Sequence, residues 1–227
     1  MDKVYKSSVD AVADVRDGAV IMFGGFGLCG IPENLIRALL DRNVRELTVI
    51  SNNPGSNSGK EGKGLDLLFQ RRQVRKFIGS FFGAAQTCKE QYLAGQVEIE
   101  IIPQGTLVER MRAAGAGIGG FYTATGVGTI VAEGKESREI NGTAYLLEYP
   151  LAADYAMIKA DHADHYGNLV YRHTAQNFNP VMAKAATTTI AEVERLVEPG
   201  ELDPNHVHTP SIYVHRVLKG EYYEKCV

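Results

Sequence analysis

The sequence predicts an α/β fold, an open and mainly parallel sheet with helices on both faces and antiparallel strands added in the C-terminal half. In roughly the first 115 residues, short apolar runs alternate with amphipathic helical patterns, which is the rhythm of a parallel sheet covered by helices. The remaining residues are rich in strand patterns. Since 227 residues with 44% hydrophobic content can bury one large core, we expect one domain over residues 1–227.

The first half begins with a strand, a glycine-rich turn and a helix. Residues 19–25 form an apolar run. Pro32 opens a helical pattern over residues 33–42, with Leu35, Ile36, Leu39 and Leu40 on one face. Residues 47–51 predict the next strand, and a loop follows over residues 52–64. The further elements predicted in this half are a helix at 64–72, a strand at 74–80, a helix at 88–95, a strand at 97–102 and a helix at 105–115.

The second half begins with a loop-like stretch at 115–129 and then becomes strand-rich. Its strand patterns, which we expect to add antiparallel strands to the same sheet, cover residues 143–151, 155–173, 187–197 and 211–220. A hairpin turn is predicted at residues 166–168, where a glycine stands between polar residues.

Composition narrows the function classes. A net charge of −3 does not favour a nucleic-acid or membrane surface, and no apolar stretch reaches the ~18 residues of a membrane helix. The N-terminal segment has acidic residues and no long apolar core, so we expect a cytoplasmic protein. Cys29, Cys88 and Cys226 are widely spaced, which predicts reduced thiols and no zinc site.

Three polar segments and Cys29 could be read as metal, phosphate or nucleophile sites, but we do not favour such sites there. The histidines in residues 161–165 and 206–208 are better explained as turn and strand residues than as metal ligands, so no metal is predicted. The basic run at 71–76 is favoured as a solvated face, with contact to phosphates as the alternative. Cys29 is expected to be a small packed side chain rather than a nucleophile.

The stretch "GGFGLCG" at residues 24–30 lies between a strand and a helix. Unpaired N–H groups at a helix start attract anions, and missing Cβ atoms let a ligand approach the main chain. Gly25, Gly27 and Gly30 match the spacing of a dinucleotide-binding loop, but "ISNNPG" stands where its acidic residue belongs. A ligand-binding loop and a tight turn that packs helix on sheet therefore both remain open.

Residues 103–129, "PQGTLVERMRAAGAGIGGFYTATGVGT", form a second glycine-rich stretch. So many flexible positions cost conformational entropy on folding. Contact of the backbone with a ligand or a partner chain would explain them, and so would a long surface loop.

Five segments together resemble the A subunit of family I 3-oxoacid CoA-transferases, with the greatest similarity to the succinyl-CoA:3-ketoacid branch. They are the two glycine-rich stretches, extended to "GGFGLCGIPENLI" in the first case, together with "ISNNPG", "RHTAQNFNP" and "GELDPNHVHTPSIYVHRVLKGE". The resemblance implies a CoA-transferase whose A and B halves form one functional unit, as an A2B2 heterotetramer. It implies CoA as a substrate group and no permanently bound cofactor, with acyl-CoA and small carboxylic acids as the other partners.

The resemblance also assigns residues. It places coenzyme A binding on Gly24, Gly25, Phe26, Gly27, Leu28, Cys29 and Gly30. It places Gln104 near the reacting carboxyl in a supporting role, with a turn or capping residue as the alternative. The nucleophile of the family is a glutamate in a Ser-Glu-Asn-Gly stretch of the B half, and that stretch does not occur here. We therefore expect no catalytic nucleophile in this chain and no activity without the B subunit.

The expected reaction moves CoA from succinyl-CoA to a 3-oxoacid such as acetoacetate. A glutamate with a pKa near 4.3 is ionised at neutral pH and needs no general base. Acetate or 3-oxoadipate as the acid is an alternative, because "AEGKESREINGTAYLLEYPL" and "GELDPNHVHTP" also resemble the subunits that use those acids. Ala84 and Ala85 stand where the family usually has Glu and Asn, which also leaves the acid open. A non-catalytic sensor of phosphate esters is an alternative of another class, and a nicotinamide oxidoreductase is the weakest.

Overall fold

The computed structural model describes residues 3–56, 62–83 and 85–223. Its strands fall into a main sheet and a small one. In chain order they are β1 (Val20–Phe23), β2 (Leu47–Ile50), β3 (Val74–Gly79), β4 (Glu98–Ile101), β5 (Phe121–Thr123), β6 (Ser137–Ile140), β7 (Thr143–Glu148), β8 (Ala153–Asp164), β9 (Leu169–Val170), β10 (Ala186–Val197) and β11 (Arg216–Lys219).

The main sheet has the order β11-β10-β8-β1-β2-β3-β4, and every neighbouring pair in it is parallel. β9 pairs antiparallel with β8 across the predicted hairpin, and β5, β7 and β6 form a separate antiparallel sheet. The predicted fold class is confirmed. The expectation that the long C-terminal strands run antiparallel in the main sheet is wrong, because the chain between β8 and β10 crosses back over a sheet face and returns in the same direction.

Helices cover both faces of the main sheet, as predicted. They are α1 (Ser8–Ala11), α2 (Glu33–Arg42), α3 (Asp66–Gln70), α4 (Gln86–Leu93), α5 (Gln104–Ala116) and α6 (Asn179–Met182). Since side chains alternate along a strand, Ile21 and Phe23 of β1 face a core that includes α2 and α4, whereas Met22 faces a second core that includes α5 and α6. Within the described residues, no helix combines the length and the apolar character needed to cross a membrane.

The order of the strands locates a crevice. β2 follows β1 on one side of it, whereas β8 lies on the other side and extends past the carboxyl end of β1 by residues 158–164. In an open parallel sheet, ligands bind outside the carboxyl ends of the strands where the strand order reverses. The stretch 24–30 leaves β1 at this point.

Candidate functional site

Residues 24–30 form a tight turn at the carboxyl end of β1, called here the glycine loop. The Gly24 N–H donates to the Met157 carbonyl at 3.0 Å and continues the pairing of β1 with β8. Phe26 and Cys29 exchange two backbone hydrogen bonds, each 3.0 Å long. Gly27 and Leu28 therefore lie at the tip of the turn, and the Phe26 side chain beside them is exposed.

Three glycines of the loop are required by the chain itself. A Cβ on Gly24 would lie 1.8 Å from Asn179 Oδ1, and one on Gly25, whose φ is +119°, would lie 2.4 Å from Ile31. Gly30 has a φ of +72° and would meet a carbonyl oxygen at 2.6 Å. Gly27 differs, because its φ of +62° needs a glycine but a Cβ there would meet nothing within 4 Å. The tight-turn explanation thus accounts for Gly24, Gly25 and Gly30, and only the tip leaves room for something outside the chain.

Two asparagines of "RHTAQNFNP" fix the glycine loop. Asn177 accepts from the Gly25 N–H at 3.1 Å and donates to the Cys29 carbonyl at 3.0 Å. Asn179, which is fully buried, donates to the Gly30 carbonyl at 3.0 Å. Asn177 has a φ of +21°, a sparsely populated conformation of the kind that concentrates at functional sites. Two segments that carried the family resemblance therefore meet in space, although about 150 residues separate them.

A second polar network joins the loop tip to α5. Gln104 donates from Nε2 to Asn52 Oδ1 at 2.7 Å, and Ser80 Oγ donates to the same oxygen at 2.8 Å. Asn52 Nδ2 donates to Asn53 Oδ1 at 3.1 Å, and that oxygen also accepts from the Gly27 N–H at 2.9 Å. The family resemblance points to Gln104. In the sequence, the two asparagines of "ISNNPG" are notable only because they stand where a dinucleotide-binding loop would have an acidic residue.

The start of α2 is not free for an anion. The Leu35 N–H donates to Glu192 Oε2 at 2.9 Å, and Asn34 Nδ2 donates to Glu192 Oε1 at 3.0 Å. Glu192 lies on β10 and is fully buried, and this burial raises its pKa to about 8 even though the two hydrogen bonds oppose the shift. The Leu35 N–H at this helix start is therefore not available to an anion, because the chain supplies its own carboxyl group. Nothing in the local pattern indicates this, since Glu192 stands in an ordinary strand pattern.

Two clefts flank residues 172–180. The first, of about 510 Å³, is lined by residues 28–31 on one side, and its charged lining residues include Lys159, Asp161 and Glu194. The second, of about 700 Å³, follows α5 from Gln104 towards its carboxyl end and is bounded on the other side by residues 177–184. Gln104 lies at one end of α5, so this second cleft starts at the polar network.

The other polar residues that the sequence brought forward have local partners. His162 contacts Asp161 at 2.6 Å, and His208 Nδ1 accepts from the Tyr171 N–H at 2.9 Å. His206 lies 3.0 Å from Asp203. Across residues 3–56, 62–83 and 85–223, no group of three or more His, Cys, Asp or Glu side chains is arranged to hold a metal ion.

The basic run at 71–76 immediately precedes β3 and forms its first residues, so it lies at the amino ends of the parallel strands. The glycine loop lies at their carboxyl ends. Lys76 pairs with Glu100 at 2.8 Å and Arg75 lies 3.9 Å from Glu98, so this run is a solvated, ion-paired face. This position at the amino ends of the strands supports the solvated face rather than contact with a phosphate at the carboxyl ends.

The cysteines are structural where they are described. Cys29 packs with its sulfur 3.7 Å from Thr174 Oγ1. Cys88 is buried, which raises the pKa of its thiol to about 12 and keeps it protonated. Cys226 and Ala84 lie outside the described residues, and Ala85 is buried at the amino end of α4.

Comparison with known proteins decides the family. The family model described as coenzyme A transferase matches residues 5–220. The chain belongs to the coenzyme A transferase family. This match confirms the predicted family and the prediction that the protein is a transferase. Coenzyme A is the group that proteins of this family transfer.

Several relatives of this coenzyme A transferase share about half of its residues. The chain is 52% identical over 225 residues to the probable A subunit of the succinyl-CoA:3-ketoacid coenzyme A transferase of Bacillus subtilis, with 99% of this chain and 93% of the relative covered. It is 55% identical to the A subunit of the same transferase from Xanthomonas campestris pv. campestris, with 98% and 91% covered. It is 49% identical to the human mitochondrial succinyl-CoA:3-ketoacid coenzyme A transferase 2, where it covers 98% of itself but only 46% of that protein.

Solved structures share the fold at low identity. The acyl-CoA transferase YdiF of Escherichia coli O157:H7, in a thioester complex with CoA, superposes with a TM-score of 0.85 at 23% identity over 96% of this chain and 47% of that one. The glutaconate coenzyme A-transferase of Acidaminococcus fermentans gives 0.83 at 20% identity over 97% and 76%.

Proposed function

We propose that this chain is the A subunit of a succinyl-CoA:3-ketoacid CoA-transferase that moves CoA from succinyl-CoA to a 3-oxoacid such as acetoacetate. The observation that carries a catalytic role is the chain of hydrogen bonds from Gln104 through Asn52 and Asn53 to Gly27, at the carboxyl edge of the sheet. The choice of substrates rests on the relatives that are 48–55% identical and carry that name.

A partner subunit completes the proposed site. No Ser-Glu-Asn-Gly stretch occurs in the sequence, and the chain spans about half the length of the human relative that it matches. Several relatives of similar length are named as A subunits. We infer that a B subunit supplies the nucleophilic glutamate, in an A2B2 assembly.

In the proposed reaction the partner's glutamate attacks the thioester carbonyl of succinyl-CoA, and the CoA thiolate leaves to give a mixed anhydride. The thiolate then attacks the glutamyl carbonyl, releasing succinate and forming a glutamyl-CoA thioester. The second acid attacks this thioester through its carboxylate, which expels the CoA thiolate and forms a second mixed anhydride. The thiolate then attacks the carbonyl of the second acid in this anhydride, which forms the new acyl-CoA and frees the glutamate. Each exchange passes through oxyanions, which fixed N–H donors stabilise.

Gln104 is suited to that task. One N–H of its amide donates to Asn52 Oδ1, which fixes the plane of the amide. An amide nitrogen carries two N–H donors, so the second can serve a substrate oxygen. The glycine loop lies at the other end of the same network, and we assign contact with CoA to residues 24–30, chiefly through the exposed tip at Phe26 and Gly27.

A sensor of phosphate esters is less well supported. Such a site would use free N–H groups at the start of α2, but the buried Glu192 carboxyl already accepts from Leu35 there. Acetate or 3-oxoadipate in place of acetoacetate keeps the same mechanism, and only an assay over several acids separates these choices.

The test is co-expression with the B subunit, followed by a CoA-exchange assay with succinyl-CoA and each of the three acids. We expect activity with acetoacetate from the complex and none from the isolated chain. Gln104→Ala should lower kcat by about 10²–10³-fold, the usual cost of losing one oxyanion donor. Gln86→Ala is the matched control, since Gln86 is also the exposed first residue of a helix. Exchange by the isolated chain would refute the division of labour between the two chains.

A further inference from the structure

The hairpin of β6 and β7 extends beyond the rest of the small antiparallel sheet. β5 pairs with β7 at residues 146–148, whereas β6 pairs with β7 over residues 143–146, so the outer part of the hairpin is two-stranded. Every residue from 136 to 144 is exposed. Since side chains alternate between the two faces of a strand, both faces of this part are open to solvent. A two-stranded hairpin alone is at best marginally stable in water, which indicates a contact beyond the chain.

The outer side of β6 offers backbone groups to such a contact, because β6 is the last strand of the small sheet within the described residues. The Glu136 carbonyl accepts from the Leu147 N–H at 2.9 Å and so faces β7. In an antiparallel pair, the backbone groups of alternate residues face the same side. The N–H and C=O groups of Ser137 and Glu139 therefore point away from β7. Residues 135–139 are called here the β6 edge.

The charges of the β6 edge are complementary to their own image. Its sequence is "KESRE". If two copies pair antiparallel about a two-fold axis at Ser137, Glu136 of each copy lies opposite Arg138 of the other. The outward backbone groups of the two Ser137 residues then also face each other. A shift by one residue would set outward groups against inward ones, and a shift by two would set Arg138 against itself.

Contacts within the chain already hold these two charges on one face of the small sheet. Tyr122 Oη donates to Glu136 Oε1 at 2.5 Å, and the Arg138 guanidinium lies 5.9 Å from the centre of the Tyr122 ring. Lys135 is different, because its Nζ contacts the buried Glu148 at 2.5 Å. The complementarity of the edge therefore comes from Glu136 and Arg138.

The free edge of the main sheet lacks this property. β4 is the last strand at its end of that sheet, and it carries Glu98 and Glu100. In the central register that matches outward backbone groups, two copies of β4 would set Glu98 of one against Glu100 of the other. Native proteins use such like charges to keep edge strands apart, so β4 is protected from a second copy whereas β6 is suited to one.

We propose that a second copy of this chain binds the β6 edge, so that the two small sheets join into one six-stranded antiparallel sheet. Two hydrogen bonds between the Ser137 backbones cross the two-fold axis, and two pairs of Glu136 with Arg138 fix the register. This inference does not rest on the proposed transferase function. In the proposed A2B2 assembly it is a direct contact between the two A chains.

The test is disulfide cross-linking of the full chain with oxidised glutathione. Ser137→Cys would lie opposite its own image, with the two Cα atoms about 5.5 Å apart, a separation that a disulfide spans. We expect a covalent dimer of twice 24.8 kDa on a non-reducing gel. Thr143→Cys is the matched control, because this exposed position lies on β7 and its two copies would be at least about 14 Å apart. It should form no more dimer than the unmodified chain, which carries the native cysteines.

Charge reversal tests the register. In the Ser137→Cys chain, Arg138→Glu sets two glutamates opposite each other at both symmetric positions, and it should slow cross-linking by about tenfold at low ionic strength. Adding Glu136→Arg restores opposite charges and should restore the rate. The same three chains are then cross-linked in complex with the B subunit, where we expect the same order of rates.

Each contrary outcome has a separate meaning. Equal cross-linking of the Ser137→Cys and Thr143→Cys chains would show random collision and overturn the contact. An unchanged rate after Arg138→Glu, or no rescue by the double reversal, would overturn the register. Cross-linking that the B subunit abolishes would assign the β6 edge to that subunit instead of a second copy. Failure of CoA exchange by a cross-linked complex would count against the transferase function and leave this contact standing.

Discussion

Replacement of Glu192 by glutamine should remove a pH dependence of folding that the structure assigns to this one carboxyl group. Glu192 is fully buried, and burial is the main cause that raises its pKa from 4.5 to about 8. Between these two values the folded chain keeps a proton that the unfolded chain has lost. The stabilisation from this group is therefore fully present below pH 4.5 and is lost as the pH rises through about 8.

The size of the effect follows from the shift. One pKa unit corresponds to about 1.4 kcal/mol, so the gap between the two pKa values is worth roughly 5 kcal/mol as an upper bound. Its slope is at most about 1.4 kcal/mol per pH unit in this window. Glutamine does not titrate, so the variant should lack this slope. The variant should also be less stable at low pH. Asn34 Oδ1 accepts from the Glu221 and Tyr222 N–H groups, so the Asn34 amide is fixed with its Nδ2 donor facing position 192. Glutamine offers only one oxygen to accept hydrogen bonds there, whereas the carboxyl group of Glu192 offers two.

The measurement is urea unfolding of both chains at several pH values from 5 to 8. We expect the difference in unfolding free energy between them to be largest at pH 5 and to shrink steadily towards pH 8. Glu139→Gln, at an exposed position of β6, is the control and should give a difference that is nearly constant with pH. A constant difference for Glu192→Gln as well would refute the reasoning.

Three further predictions concern the glycine loop. Asn179→Asp should lower the unfolding free energy by about 2–4 kcal/mol, because an acceptor replaces the N–H donors to the Gly30 and Ala175 carbonyls. Urea unfolding measures this, with the exposed Asn141→Asp as the control, and equal midpoints for the two variants would contradict the prediction. Gly24→Ala should lower the Tm by several degrees, because its Cβ would lie 1.8 Å from Asn179 Oδ1. An unchanged Tm would count against tight packing of Asn179 on the glycine loop. Gly27→Asn should keep the fold, since asparagine tolerates a φ of +62°, but should raise the KM for succinyl-CoA because its side chain obstructs the loop tip; a KM equal to that of the unmodified chain would argue against contact there.

Local patterns predict the first half of the fold well. The helix that follows Pro32 is predicted at the bounds observed for α2, Glu33–Arg42, because a helix-starting proline and one apolar face mark it. β1 to β4 lie within the predicted runs, and β1 and β2 are the clearest of them because both are short, apolar and mostly buried. The direction of β8 and β10 is not predictable in this way, because strand pairing depends on how the intervening chain crosses the sheet rather than on periodicity.

The candidate site shows the same limit. A glycine in a sequence says that a side chain is not tolerated, but it does not say what occupies the space. At Gly24 the occupant is Asn179, and at the start of α2 the partner is Glu192, each about 155 residues away along the chain. At the level of sequence, the resemblance links residues 24–30 with residues 172–180, by family rather than by contact, and Glu192 lies outside the segments that carry it.

The distinction between glycines that are packed against the chain and a glycine with open space beside it bears on how the site works. Asn177 and Asn179 hold the glycine loop in one conformation before any ligand arrives, and Glu192 fixes the helix that follows it. A site that is ordered in advance spends little binding energy on immobilising its own loop, and more of that energy remains available to lower the barrier of the reaction. On this reasoning the rigid part of the loop orients the site, and the tip at Gly27 is where the structure leaves room for the proposed contact with a ligand.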